Sequence, residues 1–244
     1  MIKELFKSLL GILPNRLQDS IRNNIINKLK NLPVKNYYKS YSQCGEDIIA
    51  QLYLSKQKGF YVDVGAFHPI QISNTYLFKK KGWKGINVDG TSSVITLFNK
   101  FRPHDINVHA CVGLNDGETV TYYKFKSGAL NTFKKEKLED IKIYHHEIPI
   151  SEEKIKTRSL SGILNEHMEE GREIDLMSID VEGADEEVLQ SNDWTKYNPK
   201  VIIIEHYASI QDFLSSNIYL LLSNKNYLLG GFSRHSFIFY RKEA

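Results

Sequence analysis

Two short segments hold the densest potential for chemistry in this chain: Asp180-Val181-Glu182-Gly183 and Glu205-His206. Each closes an apolar run, in IDLMSIDVEG (174–183) and PKVIIIEH (199–206), with the length and branched content of a buried strand. Neighbouring strands would bring three carboxylates and an imidazole to one rim of a sheet. Carboxylates so placed raise one another's pKa unless something compensates. A Mg2+ or Mn2+ ion is one such compensation, with Asp180, Glu205 and His206 as candidate ligands. A base tuned toward neutrality is another use of the cluster, and Asp180, Glu182 and His206 are the catalytic candidates. Asp180 or Glu182 could also cap the helix expected from Ala184, and the two roles can coexist.

A second group of residues points to the ligand. The run FYVDVG (60–65) ends in Asp63-Val64-Gly65, and Gly65 permits a tight turn into the next helix. A pyrophosphate-binding turn needs further glycines, G-x-G-x-x-G. Ala66, Phe67, His68 and Pro69 stand there instead. A dinucleotide is therefore disfavoured, and a nucleoside ligand without phosphates, such as S-adenosylmethionine, fits. Asp63 is placed to meet its ammonium group. GINVDG (85–90) ends in Asp89-Gly90, where an acid can accept hydrogen bonds from ribose hydroxyls; Asp-Gly is also a common turn pair. Cys111, ending a third strand, would flank the adenine edge. His68 is a further candidate base, against the plainer reading of a solvated loop histidine.

Strands that are apolar almost throughout, alternating with helical patterns, predict a parallel sheet covered on both faces. The pattern places strands at 60–65, 85–90, 106–114, 174–183 and 199–206, and a closing pair in YLLGGFS and HSFIFYR. The pair is joined tightly enough to form a hairpin, so the last strand should run antiparallel. GETVTYYKF and IKIYHHEIPI also read as strands, with a loop between them. The lysine-rich stretch 126–158 includes His145, His146 and Arg158; it could close over an anionic acceptor or be a solvated loop. Residues 1–36 read as a helical arm and 37–244 as one domain. The arm would pack on that domain or on a second copy, or serve as a membrane-surface or partner contact.

The 244 residues are 41% hydrophobic and 25% charged, with a net charge of only +3. That balance disfavours disorder and a nucleic-acid partner. Two cysteines cannot build a disulfide framework. No apolar run reaches the ~18 residues of a membrane span, and the start lacks a cleavage site, which predicts a cytoplasmic protein.

The blocks SQCGEDIIAQLYL (42–54), FYVDVGAFHPIQISNTYLFKKKGWKGINVDG (60–90), SIDVEGADEEVLQ (178–190) and PKVIIIE (199–205) together resemble the FkbM-type methyltransferases, over roughly residues 40–206. The resemblance implies an α/β class I (Rossmann-like) methyltransferase with a mostly parallel seven-stranded sheet. It implies S-adenosylmethionine as cofactor, held by Asp63, Gly65, Ser73, Asn74, Thr75, Asp89, Gly90, Cys111 and Asp180, with Gln43, Glu46 and Asp47 as a cover. One departure is Asp89-Gly90, where the family often has Glu-Pro. The expected activity is O-methylation of a sugar hydroxyl, of a nucleotide-linked sugar or a surface-glycan precursor, with His68, His145, Arg158 and Glu182 toward the acceptor. The alternatives are a non-sugar natural product or an amine as acceptor, or an adenosyl-binding module without activity.

Overall fold

In this computed structural model, which describes residues 38–242 and Asp19, helix α1 (Glu46–Gln51) leads into β1 (Phe60–Val64), buried at every position. Helix α2 (Tyr76–Lys80) links β1 to β2 (Lys84–Asp89), and α3 (Ser92–Phe101) links β2 to β3 (Ile106–His109). Next come β4 (Cys111–Val112), β5 (Thr119–Lys124), α4 (Lys137–His145) and β6 (Ser151–Arg158). The chain continues through α5 (Leu160–His167), β7 (Leu176–Ile179), α6 (Asp185–Gln190) and β8 (Val201–Glu205). It closes with α7 (Ile210–Phe213), α8 (Asn217–Asn224), β9 (Tyr227–Ser233) and β10 (Ser236–Arg241).

Seven strands form the main sheet in the order β3-β2-β1-β7-β8-β10-β9. The first five pair in parallel, and β10 runs antiparallel to both of its neighbours. The expected α/β sheet with an antiparallel last strand is what forms. Alternate residues of the central strands feed two cores. Phe60, Val62 and Val64 pack with Leu160, Ile163 and Leu164 of α5 and with Val188 and Leu189 of α6. Tyr61 points the other way, into a cluster with Ala50, Phe78 and Trp83. At about 25 cal/mol per Å² of apolar area removed from water, these two layers are the main source of stability.

The order of connection decides where a ligand goes. From β1 the chain builds outward to β2 and β3, then returns to the other side of β1 with β7 and β8. The reversal between β1 and β7 is a switch point, and the crevice beyond the carboxyl ends of those strands is where open α/β sheets bind ligands. Register fixes its floor: Val64 pairs with Ile179, and Ile179 with Ile204. The residues that follow, Gly65, Asp180 and Glu205, therefore leave the sheet side by side.

Between β3 and α5 the structure departs from expectation in three places. The run at 106–114 is two strands rather than one, because the chain leaves the main sheet after His109 and β4 pairs instead with β6. The segment IKIYHHEIPI is not a strand: α4 covers its first half. Leu138 and Ile141, three residues apart, both face the cluster of Tyr123, Phe125 and Leu130, which is helical spacing. Strand β6 was not expected at all; it completes a small sheet ordered β4-β6-β5. The helical arm expected over 1–36 lies outside the described residues, apart from Asp19. Among the described residues no helix is long and apolar enough to cross a membrane.

Candidate active site

Asp180, Glu182 and Glu205 meet at the rim, each offering a carboxylate oxygen within 4.8 Å of the others. Asp180 follows β7, and its N–H donates to the Val64 carbonyl (2.9 Å), so its position is tied to β1. Glu182 sits on left-handed backbone (φ 52°) and is followed by Gly183 (φ 103°). This sharp turn is held by Asp185, whose carboxylate accepts the N–H groups of Val181 and Gly183 (both 3.1 Å). Asp185, rather than Asp180 or Glu182, therefore receives the free amides before α6, which leaves the acidic pair available. Thr132, reaching in from the loop after β5, donates to the Glu182 carbonyl (2.9 Å).

Burial, followed by mutual repulsion, drives all three acids toward their neutral forms. Burial and then the Asp180 charge push Glu182 up to about 9. Burial and then the Glu182 charge push Glu205 up to about 8. Asp180 is raised well above the usual carboxylate range, by burial first and Glu205 second. Such a cluster either retains protons near neutral pH or recruits a cation.

Two adjoining cavities share Gly65, Phe67, Ala129, Asp180 and Glu182. The inner one, with an empty volume of 490 Å³, lies over the ends of β1 and β2. Its lining is apolar in Ala110, Cys111, Val112, Tyr122 and Phe133 and acidic in Asp89, Asp180 and Glu182. Among the described residues lining it there is no lysine, arginine or histidine. A pocket with three carboxylates and no cation is ill suited to phosphates and well suited to a positively charged nucleoside. Asp89 is oriented by the N–H groups of Phe67 (3.1 Å) and Thr91 (2.7 Å). Gly90 has no room for a side chain, because a Cβ there would lie 2.7 Å from Cys111 Sγ. The residues present thus fit S-adenosylmethionine.

A family profile, described as the methyltransferase FkbM domain, matches residues 63–229, more than half of the chain. The chain belongs to the FkbM methyltransferase family. Three solved structures are similar to this FkbM domain, each at 12% identity. The methyltransferase FkbM of Methylobacillus flagellatus KT has a TM-score of 0.45, over 75% of this chain and 44% of that one. This FkbM domain therefore spans less than half the length of that relative. The TehB-like SAM-dependent methyltransferase of Corynebacterium glutamicum ATCC 13032 Kitasato has a TM-score of 0.39, over 92% of this chain and 100% of that one. The O-methyltransferase of Bacillus cereus, in complex with SAH, also has 0.39, over 99% and 98%. No curated protein matches.

The remaining expected site residues of this FkbM domain fall into distinct groups. Gln43, Asn74 and His145 line the outer cavity, as do Asp63 and Ser73 at its floor. Asp63 and Ser73 are nonetheless buried, and with Thr75 they belong to a network centred on Arg102, which is 0% exposed. Arg102 donates to Ser73 Oγ, Thr75 Oγ1 and the Pro69 carbonyl (2.8 Å each) and to Asn87 Oδ1 (3.1 Å). Thr75 in turn donates to Asp63 (2.5 Å). Burial pushes Asp63 up to about 6, opposed by the Arg102 charge and the Thr75 hydrogen bond. Asn74 donates to Ser178 Oγ (3.0 Å) and so ties this loop to β7.

Glu46 and Asp47 are buried and occupied locally: Glu46 accepts the Cys44 N–H (2.8 Å), and Asp47 accepts from Ser40 Oγ (2.7 Å) and the Tyr41 N–H (2.8 Å). Glu46, Asp47 and Thr75 line neither cavity, and nor do His68, Arg158 and His206. His68 Nδ1 accepts the Ile70 and Gln71 N–H groups and closes a turn. Arg158 pairs with Glu166 (2.7 Å). His206 leaves β8 on the opposite side from Glu205 and packs on Phe213, with ring centroids 5.5 Å apart. Glu182 takes the place expected for His206 in the acidic trio. Sequence reasoning missed Tyr207, Lys137, Arg234 and His235, which line the outer cavity. The alternation that turns His206 away returns Tyr207 to the same side as Glu205, and that signal was readable.

Proposed function

We propose that this protein transfers a methyl group to a sugar hydroxyl, with the acceptor in the outer cavity and a divalent cation at the acidic trio. The observation that supports this is the sharing of Asp180 and Glu182 between the two cavities. The groups that meet a cationic nucleoside thereby also face the acceptor. S-adenosylmethionine supplies a methyl group on a sulfonium, open to in-line displacement by an oxygen. Asp89 would hold the ribose, the Cys111–Val112 edge and Phe133 would cover the base, and Asp180 would face the positive end.

An alcohol hardly ionises near neutral pH, so the remaining task of the chain is to manage that proton. Glu182, at the junction of the cavities, is the residue to accept it, and a well-placed base contributes about 10²–10⁴-fold. Asp180, Glu182 and Glu205 would hold Mg2+ or Mn2+, which would supply Lewis acidity toward the acceptor oxygen. Oxygen-only donors suit these ions.

The test is incubation with S-adenosylmethionine and a panel of sugars, amines and phenolic compounds, reading product mass and linkage. A sugar carrying one added O-methyl group is expected, with turnover lost in EDTA and restored by Mg2+ or Mn2+. Methylation confined to amines or to non-sugar compounds overturns the acceptor assignment, and unchanged turnover in EDTA removes the metal. Asp180→Ala should abolish turnover while the melting profile is retained.

A further inference from the structure

The outer cavity differs in character from the inner one. Lys137, His145, Arg234 and His235 line it, where the inner cavity has no such residue among those described. Three elements meet at its mouth on one side chain, Tyr207. The His235 ring stacks on it at 4.3 Å between centroids, with 28° between planes. Lys137, the first residue of α4, holds its Nζ 5.7 Å from the Tyr207 ring centroid. Tyr207 is itself 48% exposed, leaving a flat aromatic surface with a cation beside it.

Arg234 and His235 form the two-residue turn between β9 and β10, with Ser233 paired to Ser236 across its base. Arg234 adopts φ 53°. Glycine or asparagine is favoured at such hairpin positions, so an arginine there is held against its backbone preference. Neither Lys137 nor Arg234 pairs with a carboxylate among the described residues. The His235 carbonyl accepts the His206 N–H (2.7 Å), which fixes this turn to the end of β8.

We infer that the acceptor is a phosphate-bearing sugar, its phosphate held between Lys137 and Arg234 and a flat part of the molecule lying on the Tyr207–His235 stack. This rests on the acceptor site proposed above and names its substrate class. Lys137 and Arg234 supply the positive charge that a phosphate needs, in the same cavity as the Tyr207–His235 stack. A sugar monophosphate and a nucleoside diphosphate sugar share this chemistry. In the second case the base would be the flat part lying on the Tyr207–His235 stack.

The test is calorimetric titration of the whole protein, saturated with S-adenosylhomocysteine, using glucose, glucose 1-phosphate, uridine diphosphate and uridine diphosphate glucose. Wild type should bind at least one phosphate-bearing probe and not glucose. Preference for the uridine compounds over glucose 1-phosphate identifies the nucleotide source, and the reverse preference the simple sugar phosphate. Arg234→Gly should weaken phosphate-bearing probes about tenfold or more, the loss of one charge-assisted contact. It should also raise the melting temperature, because glycine relieves the backbone, which separates lost binding from lost structure. Lys137→Met should give a similar loss. Binding of phosphate-bearing probes that is equal in wild type and both variants overturns the inference, as does binding of glucose alone or of no probe. S-adenosylhomocysteine binding is recorded in the same samples. Its persistence under those outcomes would show that only the phosphate assignment has failed.

Discussion

Replacing Gly65 with alanine tests whether the approach of β1 to β7 sets the site. Gly65 has φ 78°, and a Cβ there would lie 1.7 Å from the Asp180 carbonyl oxygen and 2.6 Å from its carbon. Both are backbone atoms, so no side-chain rotation relieves the clash. Gly82 is a natural control, with φ 85° and open space around its Cβ position. Alanine at Gly82 bears only the left-handed penalty, about 1–2 kcal/mol. Alanine at Gly65 bears that and an overpacking cost of about 1–3 kcal/mol. At about 2–4 °C per kcal/mol for a domain of this size, Gly82→Ala should lower Tm by about 2–8 °C and Gly65→Ala by about 4–20 °C. The Asp180 backbone must also retreat by about 1.3 Å to reach the 3.0 Å below which real Cβ contacts are essentially never seen. A displacement of that order costs about 10²-fold in rate. Thermal melts, S-adenosylhomocysteine titration and single-turnover kinetics on both variants provide the measurement. Equal Tm shifts, with turnover in Gly65→Ala within threefold of Gly82→Ala, would refute the reasoning.

Glu182 and Glu205 titrate at about 9 and about 8 in the fold, above their ordinary 4.5. The stability they contribute is fully present below pH about 4.5 and is lost as pH rises through about 8 and 9. Metal-free protein should therefore lose Tm between pH about 5.5 and 8.5, and Mn2+ should restore more at the upper pH; a metal shift independent of pH would contradict this. Arg102→Met removes the cation from a fully buried network and should cost about 3–5 kcal/mol in a denaturant titration; a loss below about 1 kcal/mol would show the network to be dispensable. Thr132→Val leaves the Glu182 carbonyl unpaired, at a cost of about 1–3 kcal/mol. It should reduce kcat more than cofactor affinity, with Thr132→Ser restoring both; an unchanged kcat in Thr132→Val would show that this hydrogen bond does not position Glu182.

The main sheet was legible because burial on both faces leaves a plain mark: VIII before Glu205 and FYV before Asp63 have few other ways to be buried. The acidic rim followed from it, since side-by-side parallel strands must deliver their next residues together. His206 was misplaced because adjacency in sequence is not adjacency in space beside a strand; successive side chains face opposite ways. The smaller sheet was illegible for a different reason. Strand β6, SEEKIKTR, is mostly exposed, so no apolar alternation marks it. Segment α4 shows isoleucines at alternate positions, yet only Ile141 of its Ile-Lys-Ile run is buried, and Ile143 is 53% exposed. Arg102 gave no signal, because nothing local distinguishes an arginine that will be engulfed from one that will be solvated.

The spacing between Gly65, Asp180 and Glu205 is maintained by ladders of main-chain hydrogen bonds, while the wall facing the acceptor is made by α4 and a hairpin tip. Substitutions in residues 138–147 or at the Arg234–His235 tip would reshape the outer cavity while leaving those ladders in place. The two parts are joined by the His206 N–H on the His235 carbonyl and by the stacking of His235 on Tyr207, and the loop after β5 adds the hydroxyl of Thr132 on the Glu182 carbonyl. A scaffold arranged in this way can acquire new acceptors by surface change alone.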